Sequence, residues 1–228
     1  MFCAAILNSQ PMGFYQPAQL VRDAREHDVE VRPIDINDSH WDCTLERLSK
    51  ERSAVRLGFR QIGGLKEEEV NEKLVARRGN GYSSLEQLAR RSGAARFTLE
   101  RLAEADALTS LGLDRRNALW AMRRLSRLDI DPEPMPGAAS KSNLPLFAPH
   151  IEDGLFHEPS IALPQMQLSE EVIDDYETTG LSLKAHPCRF FRADLEKLGA
   201  ITSAAHRAES LKQNTKVTVA GIILMPKV

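Results

Sequence analysis

Val55-Arg56-Leu57-Gly58-Phe59-Arg60-Gln61-Ile62-Gly63-Gly64-Leu65-Lys66 runs into a helix-like stretch from Glu67 to Arg78. An apolar entry, a glycine turn and a new helix make the outline of a helix-hairpin-helix. Gly63 and Gly64 allow the backbone conformations of a tight turn and the close approach of a phosphate. The helix N-terminus beyond them supplies unpaired amides and a positive dipole end. Lys66 stands where its ammonium can neutralise that phosphate, and Arg60, Arg77 and Arg78 neighbour it in sequence. Arg60, Gly63, Gly64, Lys66, Arg77 and Arg78 are therefore the expected DNA-binding set. Glu67, Glu68 and Glu69 fill the first helical turn and compete with a phosphate for the same positive end. The rival reading is a plain helical hairpin in a core.

Charge is distributed unevenly around this stretch. The 228 residues carry a net charge of -2, yet Arg47 to Arg127 holds 18 Lys/Arg against 10 Asp/Glu, a local excess of +8. The remainder, 12 basic and 22 acidic, carries -10. A basic block in an acidic chain is what a phosphate-binding surface looks like, although solvated helix faces give the same excess. Hydrophobic residues make up 42%, enough for a core. No run is long and apolar enough to span a membrane, and the start lacks a signal-peptide layout. Cys3, Cys43 and Cys188 are odd in number and far apart, with neither metal spacing nor a disulfide framework. Free thiols, a reducing compartment and a cytoplasmic location follow.

Outward from the hairpin the chain reads as mainly helical. Pro17 opens a helix with Leu20, Val21 and Ala24 on one face, and Val29 to Val31 is a short extended segment ended by Pro33. Ser83 and Glu86 have capping-box spacing for a helix that Gly93 stops, and Thr98 is expected to cap the next. Asp114 precedes a long amphipathic helix with Leu119, Met122 and Leu125 on its apolar side. From Asp129 to Leu168 lie seven of the 12 prolines, so this segment is a linker or extended peptide. Ser169 caps a helix that Gly180 closes, Pro187 opens another that ends at Gly199, and Lys216 to Met225 reads as a strand. That strand has no evident partner, and the apolar Phe2 to Leu7 has no polar lead-in, so both ends look severed.

Inside the linker, Asn143-Leu144-Pro145-Leu146-Phe147 is apolar amid polar residues, suited to docking into an apolar groove or to folding back on its own protein. Asp35, Asp38 and Asp42 could be drawn as a magnesium cluster, but they lie in a turn-like stretch rather than on adjoining strands. Asp174 and Asp175 fall on an expected solvent-facing helix, and His186 before Pro187 suits capping or packing. No phosphate-loop, His-Glu metal or nucleophile-elbow pattern occurs, so no catalytic or metal residue is assigned.

Several motifs in fixed order carry a resemblance over essentially the whole chain. Met12-Gly13-Phe14-Tyr15, Arg32-Pro33-Ile34-Asp35-Ile36-Asn37 and Arg56 to Leu65 are three of them. Asp175-Tyr176-Glu177-Thr178-Thr179-Gly180-Leu181-Ser182, Ala185-His186-Pro187 and Val217-Thr218-Val219-Ala220-Gly221 are the others. Together they resemble the C-terminal part of bacterial C-family DNA polymerases, and the wording is closest to the error-prone branch. The resemblance implies nucleotidyl transfer by palm aspartates with Mg2+, a palm lying before residue 1, and a role in translesion synthesis and replication. It implies distal fingers over 1–58, a tandem helix-hairpin-helix DNA-binding region over 59–128 and a proline-rich linker with a clamp-like peptide over 129–168. A helical connector over 169–214 and the truncated first strand of an OB-type barrel over 215–228 complete it. Asn143, Leu144, Leu146 and Phe147 resemble the pentapeptide by which bacterial polymerases engage the sliding clamp, with asparagine at the usual glutamine position.

The expected partners are primer-template DNA, bound without sequence preference, then a sliding clamp and other translesion-synthesis proteins. The expectation is a fragment that holds DNA without catalysing by itself and needs no cofactor of its own. The alternative is a non-catalytic helical adaptor docking on the clamp.

Overall fold

The computed structural model describes residues 2–11, 15–49, 52–125, 163–207 and 215–221. Helix α1 (Phe2–Asn8) turns Ala4 and Leu7 inward and packs on α2 (Pro17–Glu26), which Pro17 opens with its preset φ. A small sheet follows, with strands β1 (Val31–Arg32), β2 (Thr44–Arg47) and β3 (Ser53–Arg56). β3 is central: it runs antiparallel to β2, with Val55 opposite Leu45, and parallel to β1, with Val55 also opposite Val31. β2 and β3 lie where the sequence reading placed no strand, and Val55 and Arg56 of the apolar entry belong to β3. Four-residue strands of mixed composition (Thr44-Leu45-Glu46-Arg47) show little period-two signal, and tertiary pairing decides them.

Arg56 is buried in this sheet and its guanidinium is met by partners. Its Nε donates to Glu46 Oε1 at 2.5 Å and its Nη1 to the Pro33 carbonyl at 2.9 Å. The hydrogen bond from Arg56, and then that from Arg32, hold the Glu46 carboxyl below the ordinary glutamate value of 4.5. A carboxyl depressed by folding adds stability above that ordinary value, and the contribution is lost as pH falls through the lowered pKa. Glu46→Gln should therefore lower the melting temperature at pH 7 while flattening its decline on acidification. Parallel melting curves of the two proteins from neutral to acid pH would contradict this.

After a 3-10 turn (Phe59–Gln61) come α3 (Glu67–Glu69) and its π-helical continuation (Val70–Val75), then α4 (Leu85–Ser92), α5 (Arg96–Glu104) and α6 (Arg115–Leu125). The last described segments hold α7 (Leu168–Thr179), α8 (Arg192–Lys197), β4 (Ala200–Ile201), α9 (Ser203–Arg207) and β5 (Thr218–Val219). One hydrophobic core joins Leu7 and Val21 to Ile36, Val55 and Phe59 of the sheet region. It continues through Leu74, Leu88, Leu102, Leu108 and Met122 of the helices.

Helix boundaries differ from expectation by small, explicable amounts. Ser84, not Ser83, caps α4 by accepting from Gln87 N–H, and Gly93 closes the helix at φ 56°. Ala95 precedes α5, while Thr98 is buried inside it. Gln167, not Ser169, begins α7, and Gly180 ends it at φ 73°. The 216–225 strand is described only in part: Thr218–Val219 pairs in parallel with Ala200–Ile201, so this stretch has a partner that sequence did not reveal. No barrel is described around it. Among the described residues no helix is long and apolar enough to cross a membrane, and Cys3, Cys43 and Cys188 are free.

Candidate nucleic-acid interface

Two hairpins stand side by side. The first turns through Ile62 to Lys66 and opens onto α3, with Gly64 at φ 88° and Lys66 as the exposed residue before the helix. The second joins α5 to α6 through Thr109 to Asp114, with Gly112 at φ 73°. Asp114 then accepts from Asn117 N–H at 2.8 Å and so starts α6. Sequence reasoning had Asp114 but missed the Gly112 turn, although a glycine two residues before an N-cap aspartate was a usable signal.

The first turn is clasped from two sides. Arg101 Nε of α5 donates to the Gly63 carbonyl at 2.8 Å, and Gly63 N–H donates to the Thr178 carbonyl of α7 at 3.0 Å. Glu69 accepts from Ala95 N–H at 3.0 Å and lies 3.8 Å from Lys73. One of the three competing carboxylates is thereby spent on joining the hairpins. Beyond Gly63, among the described residues the amides of Gly64, Leu65 and Lys66 have no intramolecular acceptor. Three successive free donors beside an exposed ammonium, at the positive end of a helix, form an anion-binding arrangement.

The expected DNA-binding set does not stay together. Gly64 and Lys66 are exposed at the turn, but the amide of Gly63 is already used by Thr178. Arg60 leaves the set: its Nη1 lies 2.6 Å from Asp42 Oδ1 and also donates to the Asn8 carbonyl, which spends the charge inside the fold. Arg78 leaves it too, being only 8% exposed and donating to the Ser39 carbonyl. Burial pushes its guanidinium pKa down. Arg77 donates to the Ser92 carbonyl at 3.0 Å, yet the residue remains exposed. Among the described residues, no carboxylate is ion-paired with Lys66, Arg77 or Arg90. Sequence reasoning passed over Arg90, which with Arg91 stands at the negative end of α4.

The three aspartates separate. Asp35 is buried and accepts from Thr109 Oγ1 at 3.1 Å and Ser110 N–H at 3.0 Å, fixing the second hairpin turn. Asp38 faces Arg56 at 3.3 Å, and Asp42 faces Arg60. Among the described residues no group of three or more His, Cys, Asp and Glu is placed to hold a metal ion. Asp175 is corrected from a solvent-facing role, being 13% exposed and ion-paired with Arg115 and Lys184, whereas Asp174 keeps a side chain 38% exposed, 3.5 Å from Arg115. His186 caps the Pro187–Arg189 turn by accepting from Cys188 N–H at 3.2 Å. Asn143, Leu144, Leu146 and Phe147 lie outside the described residues.

Residues 28–118, the region that holds both hairpins, match the family described as the helix-hairpin-helix motif. The chain is 47% identical to error-prone DNA polymerase 1 of Rhizobium meliloti (strain 1021) and to the error-prone DNA polymerase of Sinorhizobium medicae. It is 46% identical to that of Caulobacter vibrioides. Each alignment covers 99% of this chain and 21% of the relative. The chain is thus a homologue of one segment of the error-prone DNA polymerases, spanning about a fifth of the length of the curated relatives it matches.

Proposed function

We propose that this chain is the DNA-gripping segment of an error-prone DNA polymerase, a cytoplasmic enzyme of translesion synthesis and replication. The observation that carries the reading is the run of unpaired amides from Gly64 to Lys66 opening onto α3 beside the exposed Lys66 ammonium. Such donors engage the phosphate backbone and ignore base identity, so the binding is sequence-independent and salt-sensitive. Nucleotidyl transfer with its Mg2+ is, on this reading, the work of other parts of the polymerase. The strand containing Thr218 and Val219 is proposed as the first of an OB-type barrel. A sliding clamp is proposed as a further partner from the sequence of Asn143 to Phe147.

Fluorescence anisotropy with labelled primer-template DNA tests the assignment. Lys66→Glu should weaken binding roughly tenfold at low salt and reduce the slope of log K against log salt by about 1. Arg78→Gln should act on stability rather than on that slope, because its guanidinium is spent inside the fold. An unchanged affinity for Lys66→Glu at low salt would sink the hairpin assignment.

A further inference from the structure

A cavity of about 420 Å3 lies between α2 and the segment that runs from α7 into the His186 turn. Arg22 and Arg25 enter it from α2, Tyr176 from α7, and Ser182, Lys184 and His186 from the segment beyond. None of its lining residues is Asp or Glu. The hairpins and Lys66 have no part in it.

The cations differ in how far they are neutralised. Lys184 is held by Asp106 at 2.9 Å, Glu171 at 3.2 Å and Asp175 at 3.7 Å, so its charge is spent on scaffolding. Arg25 Nη1 donates to the Leu183 carbonyl at 2.9 Å, which fixes the guanidinium in place without cancelling its charge. Arg22 reaches Glu26 only at 3.8 Å, with both side chains at least half exposed, a pair of little strength. His186 accepts a hydrogen bond at Nδ1 from Cys188 N–H, leaving Nε2 to carry the proton of the neutral ring. Tyr176 adds a phenol that burial keeps protonated. Two guanidiniums, an imidazole N–H and a phenol O–H therefore border a space with no carboxylate on its lining. Arginine's planar fork of fixed donors matches the oxygens of a phosphate. The volume falls within the range of small-molecule sites and leaves room beyond the phosphate itself.

We propose that this cavity binds a phosphate group through Arg22, Arg25 and His186, borne either by a free nucleotide or by a DNA backbone. The full chain would be titrated separately with pyrophosphate, dATP and a short single-stranded oligonucleotide, following the His186 ring by NMR and the binding by calorimetry. A saturable shift of the His186 resonances is expected, with affinity reduced about tenfold or more in Arg22→Gln and in Arg25→Ala. Arg22→Gln is the decisive variant, because Arg25→Ala also removes the bond to Leu183 and could loosen the segment. Lys66→Glu should leave pyrophosphate binding unchanged, which separates this site from the hairpin. Saturation by pyrophosphate and dATP supports the site and assigns a free nucleotide; saturation by the oligonucleotide alone supports it and assigns the backbone. No His186 shift with any probe at millimolar concentration, or unchanged affinity in Arg22→Gln, overturns the proposal.

Discussion

Arg115→Met should destabilise the protein by about 3 kcal/mol. Arg115 opens α6, is 4% exposed at its side chain, and ion-pairs with Asp175 while lying 3.5 Å from Asp174. Its Nη1 also donates to the Glu171 carbonyl at 3.0 Å. Removing the guanidinium leaves Asp175 mostly out of water, with only Lys184 at 3.7 Å and the Ser182 hydroxyl at 2.7 Å to compensate. That places the loss at the lower end of the 3–5 kcal/mol range for breaking a buried pair. For a chain of this length it corresponds to a fall of roughly 6–12 °C in melting temperature. A second readout is local. Because Thr178 of α7 accepts from Gly63 N–H, loosening α7 should speed hydrogen exchange at Gly63 more than at the core amide of Leu88. Adding Asp175→Asn should recover part of the loss, since the orphaned charge is removed with it. A melting temperature within about 2 °C of the parent would show that this ion pair does not hold α7 to the hairpins.

Gly58→Ala should be as damaging, for a steric reason. A Cβ at Gly58 would lie 2.3 Å from the Trp41 carbonyl oxygen and 2.4 Å from the Asp42 carbonyl carbon. Both are backbone atoms and cannot rotate away. The two segments are also stitched together, with Phe59 N–H donating to the His40 carbonyl and Arg60 N–H to that of Trp41. Forcing them apart breaks those bonds at the point where β3 hands over to the first hairpin, at a cost of about 3 kcal/mol. Gly112→Ala provides the contrast: no atom lies within 4 Å of its Cβ position, but φ is 73°. Only the left-handed backbone is strained there, so its cost should be about 1 kcal/mol. Denaturant unfolding of the two variants decides it, and equal losses would mean that the 41–42 segment does not press on Gly58.

The hairpin itself was legible because its signals are local. Gly63-Gly64 before a helix start, Gly93 and Gly180 at helix ends, and Pro17 at a helix beginning each act through the backbone preferences of one or two residues. The sheet was not legible. Thr44–Arg47 and Ser53–Arg56 are too short and too mixed in character to announce strands, and they exist because β3 pairs on both sides. The same limit governed the charged residues. Arg60, Lys66, Arg77 and Arg78 look alike in sequence, yet Asp42 takes the first and burial takes the last.

Sequence by itself determined that the chain is mainly helical around a glycine hairpin, that its basic residues gather there, and that its motifs follow the order of the error-prone polymerases. Tertiary structure alone decided which cations remain exposed, that Thr178 occupies the Gly63 amide, and that α2 and the segment running from α7 to His186 border a cationic cavity. The division has a physical cause. Turn and cap preferences are set by neighbours along the chain, whereas whether a charge faces solvent or a partner is set by residues tens of positions away, such as Arg115 and Asp175.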